Sequence, residues 1–161
     1  GSFLINFKSN NASDGDALNA LFDLHPEWRA RSWGIYGGTA PTARVSAASG
    51  LPGVSRPRLK DCLVNYLVTG WSGHVPEVCE DMIIMVPINY APLLWGWPHR
   101  FTQRMAAVGS PVVITGPYTR GDPGTVGIDT PEDFAKVPAR FDGYIWTDRI
   151  DRIAPLRDTD G

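Results

Sequence analysis

The sequence predicts a mixed α/β protein built on a mostly parallel sheet with helices packed outside it. Three observations carry that reading. The chain enters a strand at Phe3–Lys8, alternates strand and helix from there on, and reaches its last strand at Gly143–Asp148. Such alternation favours parallel strands joined by helical crossovers. The segment Met82–Ile88 is apolar throughout, as a strand covered on both faces should be. Only about five strands can be traced in the 161 residues, whereas a complete eight-stranded barrel takes about 250. The expected fold is therefore the C-terminal five βα units of a TIM-barrel-like (β/α)8 barrel, incomplete in this chain. It would occupy residues 1–153, with a disordered tail over 154–161.

Each element has its own local signal. After the first strand, Ser9-Asn10-Asn11-Ala12-Ser13 is turn material, and Ser13 or Asp14 can cap a helix through Leu24. Ala17, Leu18, Leu21 and Phe22 form its apolar stripe, and Pro26 is expected to end it. A second strand, Ser32–Tyr36, runs into Gly37-Gly38, where the backbone can bend sharply. Residues Thr39 to Pro57 are rich in Ala, Ser, Gly and Pro and declare no element. A helix follows from Ser55-Arg56-Pro57 to about Val68, with Leu59, Cys62, Leu63, Tyr66 and Leu67 at helical spacing. Strand Met82–Ile88 leads to an aromatic loop, Leu93–His99, then to a helix through Phe101, Met105 and Val108. The next strand is Val112–Thr115, followed by a glycine-rich loop from Gly116 to Gly127. Thr130 can cap a short helix with Pro131 at its first position.

Composition excludes some classes of function. With 43% hydrophobic and 20% charged residues the chain is ordinary for a globular domain. A formal net charge of −2 gives no electrostatic basis for binding nucleic acid. No apolar run approaches the ~18 residues of a spanning helix. Cys62 and Cys79 have neither metal nor redox spacing and read as packing residues rather than a disulfide. His25, His74 and His99 share no ligand spacing and read as surface residues in loops near proline. The glycines of Gly116–Gly127 match no phosphate-binding fingerprint.

In a βα barrel, chemistry gathers at the C-terminal ends of the strands. Those ends supply Asn6 and Lys8, Tyr36, Asn89 and Tyr90, Tyr118, and Trp146 with Asp148. Strand alternation puts Leu4, Asn6 and Lys8 on one face. If that face is the barrel interior, the Lys8 ammonium needs an anion, either a phosphate or a neighbouring carboxylate. The competing reading is a solvated lysine at a strand end. Tyr36 reads either as a substrate wall or as the residue before a plain bend. Trp95, Trp97 and Phe101 form either an apolar lip for a substrate or a packed loop over the rim.

Three segments together resemble the later half of the glycerophosphodiester phosphodiesterases. Leu4-Ile5-Asn6-Phe7-Lys8 looks like that family's apolar-Glu-apolar-Lys strand. Thr125-Val126-Gly127 through Thr130-Pro131-Glu132-Asp133 resembles its penultimate strand end and acidic helix start. Phe141-Asp142-Gly143-Tyr144-Ile145-Trp146-Thr147-Asp148 is similar to its closing Asp-Gly-apolar-apolar-Thr-Asp strand. The resemblance implies hydrolysis of a phosphodiester to glycerol phosphate and an alcohol, with a divalent cation, Ca²⁺ or Mg²⁺. It makes Lys8 the catalytic residue facing the phosphate, and Asn6 the metal-site residue where the family carries a glutamate. Tyr36, Asn89 and Trp146 are then substrate-binding residues at the strand ends. The family's paired histidines and Glu-x-Asp metal pair lie in earlier strands and have no counterpart in this sequence. The chain is thus expected to be inactive until the missing N-terminal half, or another chain, covers the open barrel edge. The alternative is a non-catalytic half-barrel, an interaction subunit of a larger or membrane-associated assembly. Trp95 and Trp97 would then meet the membrane surface. The compartment is left open.

Overall fold

A computed structural model describes residues 2–121 and 125–158. Its strands pair only in parallel, in two three-stranded sheets. The first sheet has the order β1 (Phe3–Phe7), β2 (Ser32–Gly37), β3 (Gly53–Val54). The second has the order β4 (Ile84–Pro87), β5 (Val112–Thr115), β6 (Tyr144–Ile145). Helices α1 (Ala12–Leu24), α2 (Pro26–Arg31) and α3 (Thr39–Ser49) belong to the first half of the chain. They are followed by α4 (Arg56–Thr69), α5 (His99–Ala107), α6 (Pro131–Phe134) and α7 (Ile150–Asp158). The architecture is mixed α/β, and sequence neighbours are sheet neighbours, as short crossovers require.

The main core lies around the second sheet. Met82, Ile83, Ile84, Val86 and Ile114 are buried there with Tyr66 of α4 and Phe101 and Met105 of α5. Its polar groups are satisfied in place. The Tyr66 hydroxyl donates to the Trp95 carbonyl at 2.8 Å and accepts from Arg104 Nη1 at 2.9 Å, while the same Arg104 nitrogen donates to Gly70 O. Buried Ser110 donates to Cys79 O and accepts from Met82 N–H, tying the entry of β4 to that of β5. A smaller core, Phe22, Ile35, Val45 and Leu51, lies under the first sheet.

Several expectations need correction. Cys62 and Cys79 form a disulfide that joins α4 to the 3-10 turn Glu77–Cys79. A single pair 17 residues apart shows no framework in sequence, and their burial satisfied a packing reading equally well. The tail expected to be disordered after Ile153 is helical through Asp158. Ile153 is buried, and Arg157 Nη2 donates to Gly143 O at 3.1 Å. Residues 159–161 lie outside the described residues, as do 122–124 of the glycine-rich loop. The cap of α1 is Asn11, whose side chain accepts from Ser13 N–H, rather than Ser13 or Asp14. Pro26 opens α2 directly after α1 ends, because proline fits a first helical turn. The undeclared stretch from Thr39 holds both α3 and β3, so the strands number six among the described residues instead of five.

The disulfide gives a direct prediction. Unfolded without reductant, the chain should take up no thiol-alkylating reagent, and after reduction it should take up two equivalents. The doubly substituted Cys62→Ser, Cys79→Ser protein should lose about 3 kcal/mol in urea unfolding, the scale of closing a loop of this length.

Candidate functional site

The C-terminal ends of the strands meet because the two sheets are in contact through aromatic rings. Trp33 of β2 stacks on Tyr144 of β6, with centroids 5.0 Å apart and planes 17° apart. Further along both strands, Tyr36 meets Trp146 at 5.4 Å, nearly perpendicular at 81°. The two contacts occur in the same order along β2 and the last strand, so these strands run in the same direction. One end of the molecule therefore carries Tyr36 and Trp146 together. Asn6 is the register partner of Tyr36 across β1 and β2. Lys8 follows one residue past the end of β1 and is exposed.

The chain around this end is shaped by two glycines. Gly37 has a φ of +114°, and a Cβ there would meet the Phe7 carbonyl and lie 2.9 Å from Asn6 Oδ1. At Gly38 a Cβ would run into the Ser9 carbonyl. Only glycine lets the exits of β1 and β2 pass so closely. Gly38 N–H donates to Phe7 O at 3.0 Å, which fixes the crossing.

Side chains then tether the loops that follow the strands. Asn10, after β1, accepts from Ala40 N–H after β2 at 2.9 Å. Asn89, after β4, closes a two-bond pair with the Tyr118 main chain after β5: its Nδ2 donates to Tyr118 O at 3.0 Å, and its Oδ1 accepts from Tyr118 N–H at 2.9 Å. Asp129 Oδ1 accepts from the Thr147 hydroxyl at 2.9 Å and from Asp148 N–H at 2.8 Å after β6. Trp146 is also held through its own main chain, donating to Ile114 O and accepting from Ile128 N–H. These tethers use Asn and Asp because a short side-chain acceptor reaches a neighbouring loop without disturbing its path.

Electrostatics at the site centre on Tyr36. Burial pushes its phenol above the usual tyrosine value, a hydrogen bond with Asn6 works against the rise, and the Asp148 charge adds to it. The phenol is thus held neutral well into alkaline solution and can donate. Tyr90 and Tyr118, both about half exposed, lie 6.2 Å apart at the ends of β4 and β5.

The residues singled out by sequence therefore divide. Asn6, Tyr36 and Trp146 come together, with Lys8 at the margin and Asp148 within electrostatic reach. Asn89 spends both ends of its amide on Tyr118. In the aromatic loop, Trp95 Nε1 donates to Leu67 O, and Trp97 packs on Phe101 and Phe141. His25 stacks on Trp28, away from this end of the strands. Asn6 offers one neutral oxygen. Among the described residues no three His, Cys, Asp or Glu side chains gather as a metal cluster. The single neutral oxygen of Asn6 does not by itself fit a divalent cation, and no chemical step through one follows from the described residues. Sequence reading missed Asp129, whose only signal was an acidic residue just ahead of the helix start Thr130-Pro131.

Comparison with protein-family models, with curated proteins and with solved structures finds no match.

Two outcomes are expected. Ultraviolet titration should place the Tyr36 phenol above the ordinary tyrosine range near ~10, and Asp148→Asn should bring it down. Because the folded value is the raised one, stability is complete below that range and falls as pH climbs through the Tyr36 value. Separately, Asp129→Ala strands two donors and should cost about 1–3 kcal/mol in thermal or urea unfolding.

Proposed function

We propose that this chain is the later part of a glycerophosphodiester phosphodiesterase-like hydrolase, built from the C-terminal βα units of a TIM-barrel-like fold. The observation that carries the reading is the meeting of Asn6, Tyr36 and Trp146 at the C-terminal ends of parallel strands, beside the exit that leads to Lys8. Ligands of parallel α/β sheets bind at that end. In the proposed reaction water attacks phosphorus and the bond from phosphorus to the alcohol oxygen breaks. A proton goes to the departing alkoxide, leaving glycerol phosphate and the alcohol. Lys8 contributes positive charge to the phosphoryl oxygens. Tyr36, kept as a neutral phenol, donates to the ligand and with Trp146 forms its wall. Asn89 fixes the rim on which Tyr118 stands. The acid and base belong to earlier strands in this reading, because none of the family's paired histidines has a counterpart here. A divalent cation would take its charged ligands from those strands too, with Asn6 supplying a single neutral oxygen.

A second reading, a non-catalytic half-barrel that docks on another polypeptide, is favoured by the open side of β1. There Phe3, Leu4, Leu18, Phe22 and Trp28 line an apolar groove. Asn6→Glu separates the two. A cation-dependent rise in its melting temperature with millimolar Ca²⁺ or Mg²⁺ supports the hydrolase. A fall of similar size with and without the cation supports docking, since a carboxylate without a partner is then held in the fold.

The hydrolase reading is tested at Lys8. In the full-length protein, Lys8→Ala should cut release of glycerol phosphate about 10²-fold, the scale of losing one charge contact in the transition state. Its melting temperature should barely change, because the residue is exposed. Unchanged turnover would leave Lys8 as a solvated surface group.

A further inference from the structure

The Trp146 indole stands out among the polar groups of the fold. Its Nε1 is buried and, among the described residues, has no acceptor. The ring cannot be explained by a slack backbone, since the Trp146 main chain is bonded on both sides, to Ile114 and Ile128. Two hydroxyls share the orphan state, Thr42 Oγ1 and Ser46 Oγ, both on α3. A hydroxyl can rotate and can either donate or accept. An indole N–H is donor-only and points wherever its ring is packed. A buried donor without an acceptor weakens a fold, and a phenylalanine would fill much of the same space without that cost. Such a donor at the C-terminal end of parallel strands is what a ligand-binding site needs and a packing site avoids.

We propose that the Trp146 indole N–H is a specificity-determining donor that donates a hydrogen bond to a phosphoryl oxygen of the bound phosphodiester. The inference rests on the hydrolase reading and adds a named atom to it. The surroundings suit an oxygen-rich anion. Tyr36 sets its ring against Trp146, its phenol is protonated, and Asn6 lies beside it. Asp129 Oδ1 accepts from the Thr147 hydroxyl and the Asp148 main chain, so that oxygen does not compete for the indole. Asp148 is exposed to solvent, which screens its charge. Because Nε1 is buried, a neighbouring side chain must shift as the oxygen enters.

The test uses Trp146→Phe in the full-length protein, with inorganic phosphate as the probe. Without phosphate the variant should melt at the same temperature as wild type or higher, since an unbonded donor has been removed. Its phosphate dissociation constant should rise about tenfold or more, the equivalent of one hydrogen bond to a charged group. A clear loss of thermal stability without phosphate would show that the N–H already has a partner, and would overturn the proposal. Undiminished phosphate binding by a stable variant would overturn it too, while leaving the hydrolase reading intact. If wild type binds no phosphate, the hydrolase reading itself fails and the inference goes with it. Tighter binding of acetate than of phosphate by wild type would make the acceptor a carboxylate and equally refute the assignment. Should the variant not fold, the wild-type Trp146 indole N–H resonance, assigned through its contacts to Tyr36, serves instead. It must move downfield as phosphate is added, and a stationary signal refutes the proposal.

Discussion

A parallel sheet of three strands has two faces to cover and too little area to do it alone, so each sheet here depends on the other. The sheets meet through Val54, buried in the same core as β4 and β5, and through ring contacts between β2 and the last strand, Trp33 with Tyr144 and Tyr36 with Trp146. Each such pair adds about 0.5–1.5 kcal/mol beyond its buried area. The approach also needs Gly34, where a Cβ would lie 2.5 Å from Ile83 Cδ1. The second ring contact is at once a packing contact and part of the candidate site. A substitution at Tyr36 or Trp146 therefore also touches a contact between the sheets.

The two halves of the joint are unequal. Every residue of β5 is buried, and most of β4 is too, and both are braced by Tyr66, Arg104, Ser110 and the Cys62–Cys79 disulfide. β1 has no fully buried residue, and Phe3 remains 46% exposed at its outer edge. Asn6 and Lys8 thus project from the less anchored half, and Trp146 from the strand beside the firmest one. The polar groups proposed to meet a phosphoryl group are brought together across a boundary between elements of different stability. Ring contacts suit such a boundary, because they tolerate small shifts better than hydrogen bonds do.

How much of this the amino-acid pattern revealed depended on whether an element buries large residues. β2, β5 and α4 were legible because Ile35, Val112 to Ile114, Cys62 and Tyr66 mark their covered faces. Helix α3 was not, because it packs on α1 through small groups: a Cβ at Gly15 would lie 2.8 Å from both Arg44 Cβ and Pro41 O. Close helix approach of this kind removes the large apolar residues that make a helix readable. Strand β3 is only two residues long and starts at a glycine, so no alternation was available to detect. Of the site, Asn6, Tyr36 and Trp146 followed from the rule that strand ends carry chemistry. The missing acceptor of the Trp146 indole did not, because it is a property of the surroundings rather than of the residue type.

What the pattern hid most completely is the way the rim is fastened. Asn10 reaches the first turn of α3 after β2, Asn89 the loop after β5, and Asp129 the loop after β6, each with a side-chain oxygen on a main-chain N–H. Sequence reading took the asparagines as turn material or as ligand contacts, since both types of residue serve those ends. The structure uses all three to fasten the C-terminal rim of the strands, with Gly37 and Gly38 permitting the one crossing too close for any side chain. Fastened main chain at the rim leaves the exposed Lys8 side chain free of structural duty, whereas Tyr36 serves the joint between the sheets as well as the candidate site. Main-chain bonds to Ile114 and Ile128 likewise hold Trp146 without help from its indole N–H, which has no acceptor among the described residues.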